Sequence, residues 1–368
     1  MIPVNEPLLN GNEKKYLNEC IDTGWISSEG PFIKKLEEQF SKKNSRTYGV
    51  ALCNGTAALE IAVEALGITK GDEVIMPTFT IISCASAIVK VGAIPVLVDC
   101  DLQTWNMDVN QIEAKITPKT KAIMVVHIYG LPVDMDAVIT IAKKYNLKII
   151  EDAAEAHGQT YKGKPCGSFG DISVFSFYPN KLITTGEGGM VLTDNEGLAE
   201  RCKSLRNLCF LPTKRFVHEE LGWNMRMTNL QAAVGVAQIE RWDEFIGIKR
   251  RMGKLYTSLL KNEKSISIPV EKTSYAENIY WVFGVVSENK NETAEILMKK
   301  LAEKQIGTRP FFYPIHLQPV FKKMNLFIGE VYPNAEKISK YGFYLPSGLA
   351  LTENQIQEVA KTLKEILN

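Results

Sequence analysis

Neither sign of charge dominates this 368-residue chain, in which 43 Lys and Arg face 42 Asp and Glu. Without a net field, nothing draws it as a whole to nucleic acid or to an anionic membrane, and an anionic partner has to be held by a local site. Also missing is any run approaching the ~18 uninterrupted apolar residues that a membrane span needs. The opening MIPVNEPLLNGNEKK has neither a basic n-region nor a continuous apolar stretch. The seven cysteines, at 20, 53, 84, 100, 166, 202 and 209, form an odd, scattered set without a C-x-x-C pair. That spacing argues against a disulfide framework or a zinc cluster and for reduced, mostly buried thiols. Internal repeats and low-complexity tracts are lacking as well. The expectation is a cytoplasmic protein with no bound metal, no nucleic-acid partner and no membrane partner.

What is present is ordinary and ample. Hydrophobic residues make up 45% and charged residues 23%, values that let a soluble chain bury a core. The length exceeds one ordinary core and suits a large domain of ~200 to 250 residues with a smaller one. We divide it into a large domain, 1–245, and a small C-terminal domain, 246–368. From about residue 47, short β-rich runs alternate with helical periodicity, the pattern of a sheet covered by helices on both faces. The fold class is therefore α/β. Strands are expected at 48–53, 73–76, 94–98, 121–127, 147–151, 172–176 and 190–193, and helices at 54–67, 80–91 and 134–145. A long amphipathic, proline-free stretch at 228–260 is expected to bridge the domains. Beyond it, a strand at 279–286 and helices at 292–304 and 353–367 suffice for a small α/β unit.

The chemistry concentrates in EDAAEAHGQTYKGKPCGSFGDISVFSFYPNKLITTGEGG, residues 151–189. Asp152 follows the apolar run LKII, so its carboxylate emerges at the carboxyl end of a parallel strand, where open α/β sheets bind ligands. Lys181 follows ISVFSF and is preceded by Pro179 and Asn180, which favour a turn that aims it back into the cleft. A lysine amine and a carboxylate so placed are what pyridoxal 5′-phosphate (PLP) requires. The amine forms an imine with the aldehyde and moves protons, and the acid keeps the pyridine nitrogen protonated as an electron sink. Taken singly, each has a commoner role, the lysine as a solvated loop charge and the aspartate as a helix cap. Asn54-Gly55-Thr56 opens a helix and offers free amides and a hydroxyl to a phosphate, although a plain N-cap has the same spelling. The GEGG run at 186–189 enters a strand and lacks G-x-G-x-x-G spacing, which excludes a dinucleotide-binding dehydrogenase.

Together these segments resemble the sugar aminotransferases of the DegT/DnrJ/EryC1/StrS family, a PLP fold type I group, over nearly the whole chain. The matching pieces are GNEKKYLNECIDTGWISSEG, NGTAAL, GDEVIMPTFT, IEDAAEAHG, FSFYPNK with TTGEGGM, GWNMRMTNLQAAVG and TRPFFYP with a following His. The resemblance implies a mostly parallel seven-stranded sheet flanked by helices in the large domain. It implies Lys181 as the Schiff-base lysine, Asp152 at the pyridine nitrogen and Glu155 near the phenolic oxygen. Gly55, Thr56, Ala57 and Ser176 then hold the phosphate, and Asn224 reaches it from a neighbouring subunit, so that a homodimer shares two sites. Relatives that dehydrate sugars carry His where this chain has Lys181, which favours amino transfer. Many relatives stack an aromatic on the ring where this chain has Ile81; Phe79 is the nearby alternative, and core packing is an equal reading for both.

On the substrate side the resemblance points to Trp25, Ser27, Ser28, Arg215, Arg309, Tyr313 and His316. Arginine suits a phosphate or carboxylate through its planar fork, and a structural salt bridge is as good a reading for each. His127, after a strand and before Tyr129-Gly130, reads as scaffold. The activity implied is transfer from L-glutamate to C4 of a nucleotide-linked 4-keto-6-deoxy sugar, GDP-4-keto-6-deoxy-D-mannose first, in surface polysaccharide assembly such as capsule or O-antigen. The alternatives are a UDP- or dTDP-linked keto sugar, a small phosphorylated ketone, or a non-catalytic binding or regulatory protein with the same fold.

Overall fold

The computed structural model describes residues 1–211, 213–214 and 216–367. One sheet collects β1 (Tyr48–Leu52), β2 (Glu73–Pro77), β3 (Ile94–Val98), β4 (Thr120–Val126), β5 (Lys148–Asp152), β6 (Ile172–Ser176) and β7 (Gly189–Thr193). Its order is β1-β7-β6-β5-β4-β2-β3. Only β7 runs antiparallel, against both of its neighbours. The strands are rich in Val, Ile and Met and almost wholly buried, as a sheet covered on both faces demands.

The helices of this part are α1 (Glu13–Thr23), α2 (Pro31–Lys43), α3 (Gly55–Ala65), α4 (Ile82–Lys90), α5 (Met135–Tyr145), α6 (Glu196–Arg206), α7 (Asn229–Ile239) and α8 (Trp242–Leu260). On one face, Leu59, Ile61 and Val63 of α3, Ile88 of α4 and Leu205 of α6 pack on Val50, Met76 and Met124. Across the sheet, Leu36 and Phe40 of α2 and Val236 of α7 meet Phe175, Met190 and Leu192. Val138 and Ala142 of α5 cover Ile123, Val125 and Ile149 on that side.

The stretch expected as one bridge at 228–260 is two helices, because the chain leaves helical geometry at Arg241 (φ −107°, ψ 18°). Tertiary bonds hold the joint. The Glu240 carboxylate accepts from Asn12 Nδ2 and the Tyr16 hydroxyl, and Arg241 engages Asn10 and Glu244. As a result α7 is buried on nearly every side, and the bridging falls to α8 alone, whose Met252, Tyr256 and Leu260 enter the small-domain core.

The small domain carries β8 (Ile266–Ser267), β9 (Phe283–Ser287), β10 (Arg309–Pro310) and β11 (Gly342–Leu345), antiparallel in the order β8-β9-β11-β10. Its helices are α9 (Ala294–Glu303), α10 (Pro319–Lys323), α11 (Pro333–Tyr341) and α12 (Glu353–Leu367). Ile2 also joins its core and bridges to Ile306. The strand expected from 279 begins only at Phe283, since Tyr280 adopts φ 56°. Its ring lies over Gly253 of α8, where a Cβ would stand 2.2 Å from the ring, and the kink sends Trp281 toward the cleft between the domains. Among the described residues no helix is long and apolar enough to cross a membrane.

Candidate active site

A cavity of about 980 Å³ opens at the carboxyl ends of β4, β5 and β6 and is walled on its far side by the small domain. Asp152, the last residue of β5, lies at its floor with 3% exposure. Its Oδ2 accepts from the Cys84 thiol of α4 (3.2 Å) and its Oδ1 from the Ala154 amide (3.1 Å). Burial raises its proton affinity against those donors and Lys181. Glu151, one residue earlier, points to the other face. Its carboxylate accepts from the amides of Gly167, Phe169 and Gly170 and from His127 Nε2. The Val133 amide donates to His127 Nδ1 at 3.2 Å, so the imidazole proton sits on Nε2. Burial works to raise the Glu151 pKa, but His127, the loop amides and Arg46 outweigh it and hold the carboxyl below its ordinary value. His127 is thus part of the scaffold.

Lys181 ends a turn closed by its own amide on the Tyr178 carbonyl (2.9 Å), with Pro179 and Asn180 at its centre. The side chain is 11% exposed, and Nζ lies 3.8 Å from Glu155 Oε1 and 3.9 Å from the Trp281 ring centroid. Burial pushes the amine's pKa down while Glu155, Asp152 and Cys84 pull it up. Burial pushes the Glu155 carboxyl up, opposed by Lys181 and by the Tyr129 amide, 2.7 Å from Oε2. Burial thus disfavours the charged form of both groups, and each favours the charge of the other.

At the other end of the cavity, α3 begins. Asn54 caps it, accepting from the Ala57 amide at 2.8 Å, which leaves the Gly55 and Thr56 amides as the open donors of the first turn. Gly55 has to be glycine, because a Cβ there would stand 2.8 Å from Ser176 Cβ. Gly189 likewise lets β7 pass beneath the Asn54 carbonyl, 2.4 Å from where a Cβ would be. This close packing brings the Ser176 and Thr56 hydroxyls to the same wall, with Thr56 Oγ1 bonded to Ser83 Oγ at 2.8 Å.

Ile81, 41% exposed, lines the cavity, whereas Phe79 is fully buried in an aromatic cluster with Tyr129, Phe311 and Phe312. Arg309 and Tyr313 line it from the small domain. The remaining substrate-side candidates are not gathered there. His316 is 1% exposed, with Nδ1 bonded to Thr78 Oγ1 (2.8 Å) and Nε2 to Glu336 Oε1 (3.1 Å), so both ring nitrogens are engaged. Trp25, Ser27 and Ser28 lie on a loop pinned by buried Asn229, which takes the Ser27 carbonyl through its amide and the Trp25 carbonyl through Nδ2. Asn224 is exposed, accepts from Arg226 Nε and does not line the cavity of its own chain. Arg215 lies outside the described residues. Sequence reasoning missed Cys84, Ser83 and Trp281; the one signal was the bulky pair Tyr280-Trp281, which reads as strand.

The donor set matches one cofactor. PLP offers an aldehyde, a pyridine nitrogen and a phosphate dianion; the cavity holds a desolvated lysine, a buried acid, and a helix N-terminus with two hydroxyls. A family model described as the DegT/DnrJ/EryC1/StrS aminotransferase family matches residues 7–364. GDP-perosamine synthase of Escherichia coli O157:H7 is 44% identical over 364 residues, covering 99% of this chain and 98% of its own. GDP-perosamine synthase of Vibrio cholerae is 40% identical over 370 residues, with 100% of each chain covered. The Streptococcus pneumoniae protein Spr1654, solved in its PLP-form, superposes with a TM-score of 0.92 at 27% identity, covering 100% of this chain and 98% of that one. Matched almost from end to end, the chain belongs to the DegT/DnrJ/EryC1/StrS aminotransferase family and is a PLP-dependent aminotransferase.

Proposed function

We propose that this aminotransferase carries an amino group from L-glutamate to C4 of GDP-4-keto-6-deoxy-D-mannose, as a cytoplasmic homodimer serving surface polysaccharide assembly. The observation that carries this reading is the alignment, over essentially full length, with two relatives named GDP-perosamine synthase, at 44% and 40% identity. When bound, PLP supplies an electron-withdrawing ring that takes up the electrons released at the donor's α carbon. Lys181 Nζ binds the cofactor and moves the proton. Asp152 holds a proton at the ring nitrogen from the cavity floor, and Glu155 stands beside the amine. The Gly55 and Thr56 amides and the Ser176 hydroxyl take the phosphate; Ala57 contributes through its place in the helix, its own amide being bonded to Asn54. Ile81 covers the ring by dispersion and area burial. The positioning of these groups restricts the reacting bonds to productive orientations.

Arg309 and Tyr313 are the acceptor contacts favoured by their place in the cavity wall. Asn224, Trp25 and Ser27 are exposed on their own chain and Ser28 is half-buried beside them, which supports their completing the site of a second protomer. Arg215 keeps its sequence-based assignment to substrate, whereas His316, buried on Thr78 and Glu336, is left out of the proposed contacts. The test converts the enzyme to its amino form with glutamate and then offers keto substrates one at a time. We expect the original absorption band to return with the GDP-linked sugar. Return with a UDP- or dTDP-linked sugar alone would move the assignment to that nucleotide, and return only with a small phosphorylated ketone would remove nucleotide sugars altogether.

A further inference from the structure

The turn that carries Lys181 is closed by a side chain from across the cleft. Trp281 is 5% exposed, its indole N–H donates to the Asn180 carbonyl at 2.7 Å, and its ring face lies under Lys181 Nζ at 3.9 Å. The Trp281 amide donates to the Tyr129 carbonyl at 3.2 Å, and the Tyr129 amide donates to Glu155 Oε2 at 2.7 Å. With Glu155 Oε1 3.8 Å from Nζ, the chain of contacts returns to the lysine it left. Tyr280, immediately before Trp281, holds φ 56°, and Tyr129 holds φ 53°. Left-handed backbone at two bulky residues persists only where the surroundings enforce it, and here both outliers serve the same ring of contacts.

An aminotransferase lysine spends part of each cycle detached from its cofactor, and a detached ammonium in a buried site needs a partner. Glu155 at 3.8 Å is beyond hydrogen-bond length. We propose that Trp281 is a positioning residue for Lys181, its π face holding the detached ε-ammonium and its N–H fixing the turn from which that side chain springs. This deepens the functional reading above and rests on Lys181 being the cofactor-binding lysine. Other groups face the amine beside the indole. Asp152 from β5, Glu155 from the segment after it and Cys84 from α4 each favour the cation, whereas burial pushes His157 down to about 3, leaving it neutral. Arg309, Glu60, Glu187, Tyr178, Tyr313 and Tyr344 line the same cavity.

The test measures the titration midpoint of Lys181 in full-length protein stripped of cofactor, from the pH dependence of its acetylation read by peptide mass spectrometry. Trp281→Leu should lower the midpoint by about one pH unit, because the cation loses its π partner. Trp281→Phe, which keeps a weaker face and loses the N–H, should fall in between. A second arm needs no mutation: replacing the five tryptophans with mono-, di- and trifluorinated analogues drains the ring face while keeping its shape and its N–H. The midpoint should then drop stepwise with fluorine count. A flat fluorine series in folded protein overturns the proposal, whatever Trp281→Leu does to folding. Borohydride trapping in the unsubstituted holoenzyme separates the two levels. Cofactor fixed on another lysine sinks the functional assignment, whereas cofactor fixed on Lys181 with a flat series sinks only the role of Trp281.

Discussion

Glu151 and Asp152 sit side by side on β5, and the pleat sends them to opposite faces of one sheet. On the closed face, three amides and the His127 imidazole donate to Glu151, and Arg46 Nη2 lies 3.6 Å away. Its charge is fully answered by the fold. On the cavity face, Asp152 has a thiol and one amide, and burial leaves it with a raised proton affinity and spare capacity to accept. Two carboxylates of nearly equal burial therefore do different work. The satisfied one braces the loop at 167–170, and the under-satisfied one keeps acceptor capacity turned toward the cavity, which is the property its proposed role uses.

The contrast breaks most sharply under amide substitution. In the role proposed for it, Asp152→Asn exchanges the carboxylate charge that keeps the ring nitrogen protonated for a neutral amide, and single-turnover rates with glutamate should fall roughly 10³-fold, with the thermal midpoint almost unmoved. Glu151→Gln should do the reverse. It unbalances a buried, fully bonded carboxylate and should cost about 3 kcal/mol in denaturant titration, while turnover per folded site stays near that of the parent. If Asp152→Asn proved the unstable variant and Glu151→Gln the inactive one, the division of labour between the two faces would be wrong.

The same contrast explains what was legible in the sequence. Asp152 and Lys181 could be placed because their signals are local: a β-rich run fixes a strand end, and Pro-Asn fixes a turn. Asn54 as a cap and the fully buried strands are equally local. Trp281 was illegible because the kink at Tyr280 is set by Gly253, on a helix in another part of the chain. The break at Arg241 was hidden for a similar reason, since the N-terminal segment makes the bonds that end α7. His316 follows a cleft-lining segment in sequence, yet the short turn at Ile315–Leu317 rotates its ring onto Thr78 and Glu336. What sequence conveys poorly is contact between segments far apart along the chain.

A smaller effect sharpens the comparison between a site completed within one chain and one completed by two. Asn224→Ala should weaken cofactor retention by about tenfold, the loss of one hydrogen bond to a charged group, although Lys181 of the same chain is intact. Mixing this variant with Lys181→Ala should restore up to one working site in each heterodimer. Absence of regained turnover after verified subunit exchange would place Asn224 outside the site.

The smallest effect concerns a third buried ion, on α8 behind the cavity. Lys249 is 3% exposed, donates to the Ser347 carbonyl and, among the described residues, has no ion-pair partner, so burial alone pushes its pKa down to about 7. Unlike Glu151, it is answered by no opposite charge. The sign follows from proton counting. Below pH 7 the folded state bears the full cost of the buried charge, and between pH 7 and about 10.4 the unfolded chain binds a proton that the folded one has shed, so rising pH stabilises the fold. Lys249→Met lacks this term. Relative to the parent, its thermal midpoint should be highest near pH 6 and should decline by a few degrees toward pH 10, where only the lost bond to Ser347 remains. Parallel midpoint curves for the two proteins would mean that Lys249 keeps its proton in the fold, and that a buried cation can be satisfied here by a carbonyl alone.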